Sequence, residues 1–205
     1  MMKKLFLSAS FEETAGLLDT LEEELSGRTV TFIPTAAVHE PYDAYVHAGR
    51  QALEKRGLIV EELEVSTASV EETADKLQRS DLIYVSGGNT FFLLQELRRS
   101  GAEQWIQAHI REGKIYIGES AGSIVLAPDI AYVKAMDDCA AAPDLSSYEG
   151  LHAIDFYPVP HVGCFPFVES AAQVIAAYES ALPLVPITNS QVIVVDGEQH
   201  RIVGI

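Results

Sequence analysis

Residues 118–122 read Gly-Glu-Ser-Ala-Gly and complete the pattern G-x-S-x-G around Ser120. In that pattern a strand turns sharply into a helix, the serine stands at the turn, and the glycines permit the close backbone approach the turn requires. The chemistry it could do is nucleophilic, with an acyl group passing to the hydroxyl and then to water. Such a serine needs a base. The chain holds six histidines, His39, His47, His109, His152, His161 and His200. His47 and His109 fall inside helical patterns and His200 follows a turn, so these three are expected to face solvent. His161 closes the run Tyr157-Pro158-Val159-Pro160 and is followed by Gly163 and Pro166. A histidine at a strand end belongs on the same rim as Ser120, which makes it the expected base.

The base needs an acceptor on its other nitrogen. Asp137 and Asp138 lie between the serine and the histidine, and Glu119 adjoins the nucleophile as a weaker candidate. The order Ser, Asp, His is that of α/β-hydrolases, but His161 follows Ser120 by only 41 residues and the Gly-rich HGGG segment is missing. The layout is therefore a different one. A second strand end, Ser86-Gly87-Gly88-Asn89-Thr90, leads into a helix capped by Asn89 or Thr90. Backbone N–H groups at a helix start point outward, and glycine lets a substrate oxygen approach them. The N–H groups of Gly88 and Ala121 are the candidate oxyanion donors, each worth about 3 to 4 kcal/mol in the transition state. Read without the serine, Gly87-Gly88 is simply a tight turn. Asn89 and Glu119 are the substrate-binding candidates beside these groups.

The elements that must position this chemistry alternate. Strand patterns at 3–9, 29–37, 58–66, 81–88 and 114–120 are separated by helical patterns at 11–25, 42–57, 69–80 and 89–113. Ser69 and Glu72 have capping-box spacing. Such β-α repeats predict a parallel sheet with helices on both faces, whose ligands gather at the carboxyl ends of the strands. Beyond Ser120, residues 131–136 and 155–161 read as strands, 169–182 as a helix, and 190–205 as a hairpin turning at Asp196-Gly197. No linker or repeat interrupts residues 1–205, so one α/β domain is expected.

Four segments in order, YVSGGNTFFLL (84–94), IGESAGS (117–123), MDD (136–138) and PH (160–161), resemble the peptidase E family of serine peptidases. That family holds the aspartyl dipeptidases and, more distantly, the cyanophycinases. The resemblance covers nearly the whole chain. It implies a three-layer αβα fold with a mostly parallel central sheet, flavodoxin-like and similar to class I glutamine amidotransferases. It also implies Ser120 as nucleophile, His161 as base, donors at Gly88 and Ala121, and Asp138 or Asp137 as the triad acid. Some relatives carry a glutamate near the start of the last hairpin, where this chain has Asn189. The implied activity is that of a serine exopeptidase acting on small peptides. An esterase or amidase on another acyl group and a non-catalytic ligand-binding relative are the alternatives.

Composition narrows the partners. With 14 Lys+Arg against 30 Asp+Glu the formal charge is −16, which repels nucleic acid and anionic membrane surfaces. Two cysteines, Cys139 and Cys164, lack metal-site spacing, so neither a metal nor a cofactor is expected. Glu12 and Glu13 interrupt the N-terminal apolar run too early for a secretion signal, and no apolar stretch reaches the ~20 residues of a membrane span. A cytoplasmic enzyme is expected, with a small peptide as substrate and a homodimer as its assembly. No Lys or Arg occurs from Ala135 to His200, and Arg111 and Lys114 precede a strand, away from Ser120. The segment that should wall the site thus lacks a partner for an aspartate side chain, so the family's Asp-X preference is not expected here.

Overall fold

The computed structural model describes residues 3–205; Met1 and Met2, which open the N-terminal run, lie outside it. Strands β1 (Lys4–Ser8), β2 (Thr29–Ile33), β3 (Ile59–Glu62), β4 (Leu82–Val85) and β5 (Ile115–Glu119) are mutually parallel. Helices α1 (Phe11–Thr14), α2 (Ala44–Lys55), α3 (Val70–Arg79), α4 (Thr90–Arg99) and α5 (Ala102–Arg111) connect them. The short α6 (Ala121–Ile124) follows β5. A second, two-stranded parallel sheet is made by β6 (Tyr157–Val159) and β7 (Leu184–Pro186), with α7 (Val168–Tyr178) between them. Strands β8 (Gln191–Asp196) and β9 (Gln199–Gly204) form a hairpin that joins the main sheet antiparallel to β1. The main sheet runs β3-β2-β4-β5-β1-β8-β9.

Both faces of this sheet are covered, so its central strands are largely apolar; all four residues of β4 and all five of β5 are buried. Alternation along each strand divides the core in two. Leu5, Leu7, Ile83, Val85 and Tyr116 pack on one side, under α4 and α5. Phe6, Phe32, Leu82, Tyr84 and Ile117 pack on the other. Each such side chain contributes roughly 1.5 to 3 kcal/mol through burial. The α/β three-layer reading holds, and among the described residues no helix is long and apolar enough to cross a membrane.

Several local expectations are corrected. Residues 11–25 do not form one helix: α1 stops after four residues and continues as a 3-10 turn over Ala15–Leu21, ended by Glu22 in the left-handed region. Residues 131–136 are not a strand but a 3-10 turn at Ala131–Val133 with Tyr132 and Val133 buried. The helical pattern at 89–113, read as one or two helices, is two, divided at Gly101 with its φ of 76°. His109 is buried, not solvent-facing: Nε2 lies 2.9 Å from the Ile115 carbonyl, and burial pushes its pKa down to about 4. Ser69 does cap α3, its hydroxyl accepting the Glu72 N–H.

Candidate active site

Ser120 sits where β5 breaks into α6, with φ 47° and ψ −106°, outside the regular strand and helix regions. The turn is held by its backbone. Ser120 N–H donates to the Ser8 carbonyl at 2.9 Å, and the Ser123 hydroxyl bonds the Ser8 and Gly118 carbonyls. The flanking glycines are sterically required. A Cβ on Gly118 would lie 2.6 Å from the Gly122 carbonyl oxygen, and one on Gly122 would lie 2.2 Å from that of Val85.

His161 reaches this serine from the second sheet. The ring Nε2 is 3.0 Å from Ser120 Oγ, and Nδ1 is 2.7 Å from Asn189 Oδ1. With Nδ1–H donated to the amide oxygen, Nε2 is left to accept the serine proton. The pairing of β6 with β7 explains this arrangement. His161 lies just beyond β6 and Asn189 just beyond β7, and Val159 and Pro186 are in register. Ile187 N–H donates to the Val159 carbonyl, and Val162 N–H to that of Ile187, so the two residues leave the small sheet side by side. Phe167 stacks on the imidazole at 4.6 Å between centroids. Burial pulls the His161 pKa below its ordinary value, opposed by the Asn189 hydrogen bond and the charge of Glu13.

The expected acids are elsewhere. The Asp137 carboxylate accepts Thr90 N–H at 2.9 Å and the Thr90 hydroxyl, at the first residue of α4, and burial raises its pKa to about 6. Asp138 is exposed and accepts the Ala140 N–H at 2.9 Å, capping the turn at Cys139–Ala141. Neither touches His161. Asp137 is claimed by the start of α4 and Asp138 by the turn that follows it, because 131–136 coils instead of extending as a strand toward the histidine. Glu119 also points away from the imidazole. Its oxygens accept Phe11 N–H at 2.8 Å and the Tyr84 hydroxyl at 2.7 Å, and burial raises its pKa. Asn189 is the group that sequence reasoning noticed only for lacking a charge. Its signal was its place just before the last hairpin.

Gly88 has φ 132°, and a Cβ there would come within 2.1 Å of the Ala36 carbonyl oxygen, so only glycine fits. Asn89 caps α4 through the Phe92 N–H and binds the Asp138 carbonyl through Nδ2. Gly88, Asn89, Ser120, Asp137, His161 and Asn189 all line one cleft of about 620 Å³ at the carboxyl ends of the strands. Ala121, buried behind the serine, has no other protein partner for its N–H among the described residues. Tyr42, Tyr45, Met136, Phe165 and Phe167 supply an apolar wall. Four carboxylates line the cleft and, among the described residues, no Lys or Arg does.

Known proteins share this framework. An uncharacterized peptidase of Pasteurella multocida (strain Pm70) is 49% identical, over 99% of this chain and 98% of its own. One from Listeria monocytogenes is 46% identical over 97% of both chains. Peptidase E of Salmonella newport is 30% identical over 70% of this chain and 60% of its own. The crystal structure of a Listeria monocytogenes EGD-e protein described as a candidate peptidase E matches with a TM-score of 0.96 and 44% identity over 100% of both chains. The model of peptidase family S51 matches residues 5–203. With that match along nearly its whole length, the chain belongs to peptidase family S51 and is a peptidase.

Proposed function

We propose that the protein is a metal-independent serine exopeptidase of small peptides, using Ser120, His161 and Asn189 as its catalytic triad. One observation carries the reading. The hydroxyl of a serine on a strained strand-to-helix turn lies 3.0 Å from an imidazole nitrogen above a cleft. Ser120 Oγ attacks the scissile carbonyl carbon while His161 Nε2 takes the hydroxyl proton. The N–H groups of Gly88 and Ala121 bind the oxyanion. The proton then passes to the leaving nitrogen, the C–N bond breaks, and an acyl-serine remains. Water repeats the sequence, giving its proton to His161 and releasing the acid, and the proton returns to Ser120. Asn189 keeps the ring in the tautomer that leaves Nε2 basic.

A fluorophosphonate probe is expected to label Ser120, and a dipeptide screen to find Leu-Leu cut well and Asp-Leu poorly. An aspartate side chain would enter a cleft that, among the described residues, offers carboxylates and no Lys or Arg, and leaving it unpaired costs several kcal/mol. The kcat/KM ratio of Asp-Leu to Leu-Leu should fall below about 0.1. A preference for Asp-Leu above tenfold, ~1.4 kcal/mol, would sink this specificity. An unlabelled serine would sink the function.

A neutral amide behind the base has a signature in pH. Because the His161 pKa is lowered, the imidazole is neutral, and so competent, at all pH values above a midpoint lower than ~6.5. The acid limb of kcat/KM should lie below that value. Asn189→Asp puts a charge beside the ring and should move the limb up by about 1 to 3 pH units. Asn189→Ala should lower kcat ~10²-fold or more, because the tautomer is no longer fixed. An unmoved limb in the first variant, or near-wild-type kcat in the second, would remove Asn189 from the triad.

A further inference from the structure

The serine-peptidase reading gives none of the four cleft carboxylates a task, and one of them, Asp137, is placed to meet substrate. Asp137 Oδ2 is tied to the backbone N–H and the hydroxyl of Thr90. Thr90 stands two residues beyond Gly88, the oxyanion donor of the proposed mechanism. The carboxylate is therefore anchored beside the position a scissile carbonyl oxygen would take. Its other oxygen, Oδ1, has no donor among the described residues, although Asp137 lines the cleft. Glu40, Glu119 and Asp138 face the same space, and no Lys or Arg does among the described residues. A half-buried carboxylate in that company favours a cation, which the cleft does not supply and the substrate must.

A peptide carries such a charge in one place next to a scissile carbonyl. The α-ammonium nitrogen of an N-terminal residue is two bonds from the carbonyl carbon, whereas Lys and Arg side chains carry their charge several bonds further out. We propose that Asp137 is the subsite for the substrate's free α-ammonium group. The enzyme then takes short peptides by their N-terminus and cuts behind the first residue, with the aromatic wall receiving an apolar side chain. This rests on the reading of Ser120 and His161 as nucleophile and base. It turns Asp137 from the expected triad acid into a specificity-determining residue.

Leu-Leu and its des-amino analogue, isocaproyl-leucine, differ only in the ammonium group. The wild-type enzyme should cleave Leu-Leu roughly 10- to 100-fold better in kcat/KM. In Asp137→Asn, which keeps an acceptor for Thr90, that ratio should fall to within about threefold of unity. Equal cleavage of both compounds by the wild type overturns the proposal, and so does a ratio retained in the variant. The wild-type comparison decides even if the variant fails to fold. A fluorophosphonate carries no amine and separates the two levels. If it labels Ser120 while neither compound is cut, the ammonium subsite is overturned and the activated serine stands. If it labels nothing, the serine-peptidase reading itself fails.

Discussion

Ser120→Ala is expected to reduce hydrolysis of Leu-Leu by on the order of 10⁴- to 10⁶-fold and to leave the protein folded. Among the described residues the hydroxyl makes one hydrogen bond, to His161. Nothing that holds the turn together depends on it. The strand-to-helix break is fixed by Ser120 N–H on Ser8, by the Ser123 hydroxyl on Ser8 and Gly118, and by the Tyr116 hydroxyl on Gly122. Alanine keeps the same Cβ at φ 47°, so the strain of that conformation is unchanged. Unfolding free energy should therefore stay within about 0.5 kcal/mol of wild type. Denaturant titration and steady-state kinetics on the same preparation check both halves. Retained turnover above a few per cent would mean that the nucleophile lies elsewhere.

His161→Ala should cost nearly as much, and the double variant Ser120→Ala/His161→Ala should be no slower than either single one. Members of a triad act as a unit, so the first removal spends almost the whole effect. The two single variants should differ in stability. The imidazole is packed against Phe167 and bonded to Asn189, and its removal empties that space, whereas the serine hydroxyl fills none. His161→Ala should thus melt lower than Ser120→Ala while matching its inactivity. Additive losses in the double variant would show two independent contributions, and a histidine base would then be untenable.

The serine turn, the histidine that reaches it and the glycine at the second strand end were legible because each is tied to a local rule. G-x-S-x-G and Gly87-Gly88 announce backbone geometry, and the alternating patterns announce the parallel strands that carry them. What escaped was non-local. Asn189 follows a three-residue strand containing Pro186, too short to stand out as a strand. Its partnership with His161 exists only because β7 lies beside β6. An amide in a loop also carries no sign of catalysis. Asp137 and Asp138 drew attention as acids in the right order, yet order along the chain says nothing about which N–H groups will claim them. Residues 131–136 alternate like a strand but coil, because Tyr132 turns inward and its hydroxyl bonds the Pro158 carbonyl. His109 sits in a helical pattern, and only the packing of α5 on the sheet decides that its side faces inward.

The two-sheet construction has a consequence for how the enzyme is made on the ribosome. The serine turn is complete once β5 and α6 can pair with β1, but Asn189 belongs to a segment synthesised much later, just ahead of the hairpin that closes the sheet beside β1. A nascent chain stalled after α6 would present the strained hydroxyl with no imidazole to activate it. One stalled after His161 would present an imidazole with nothing to choose its tautomer. On the proposed triad, hydrolytic competence would arrive only with the segment that carries Asn189, so unfinished chains would emerge without an active peptidase that could attack other newly made peptides.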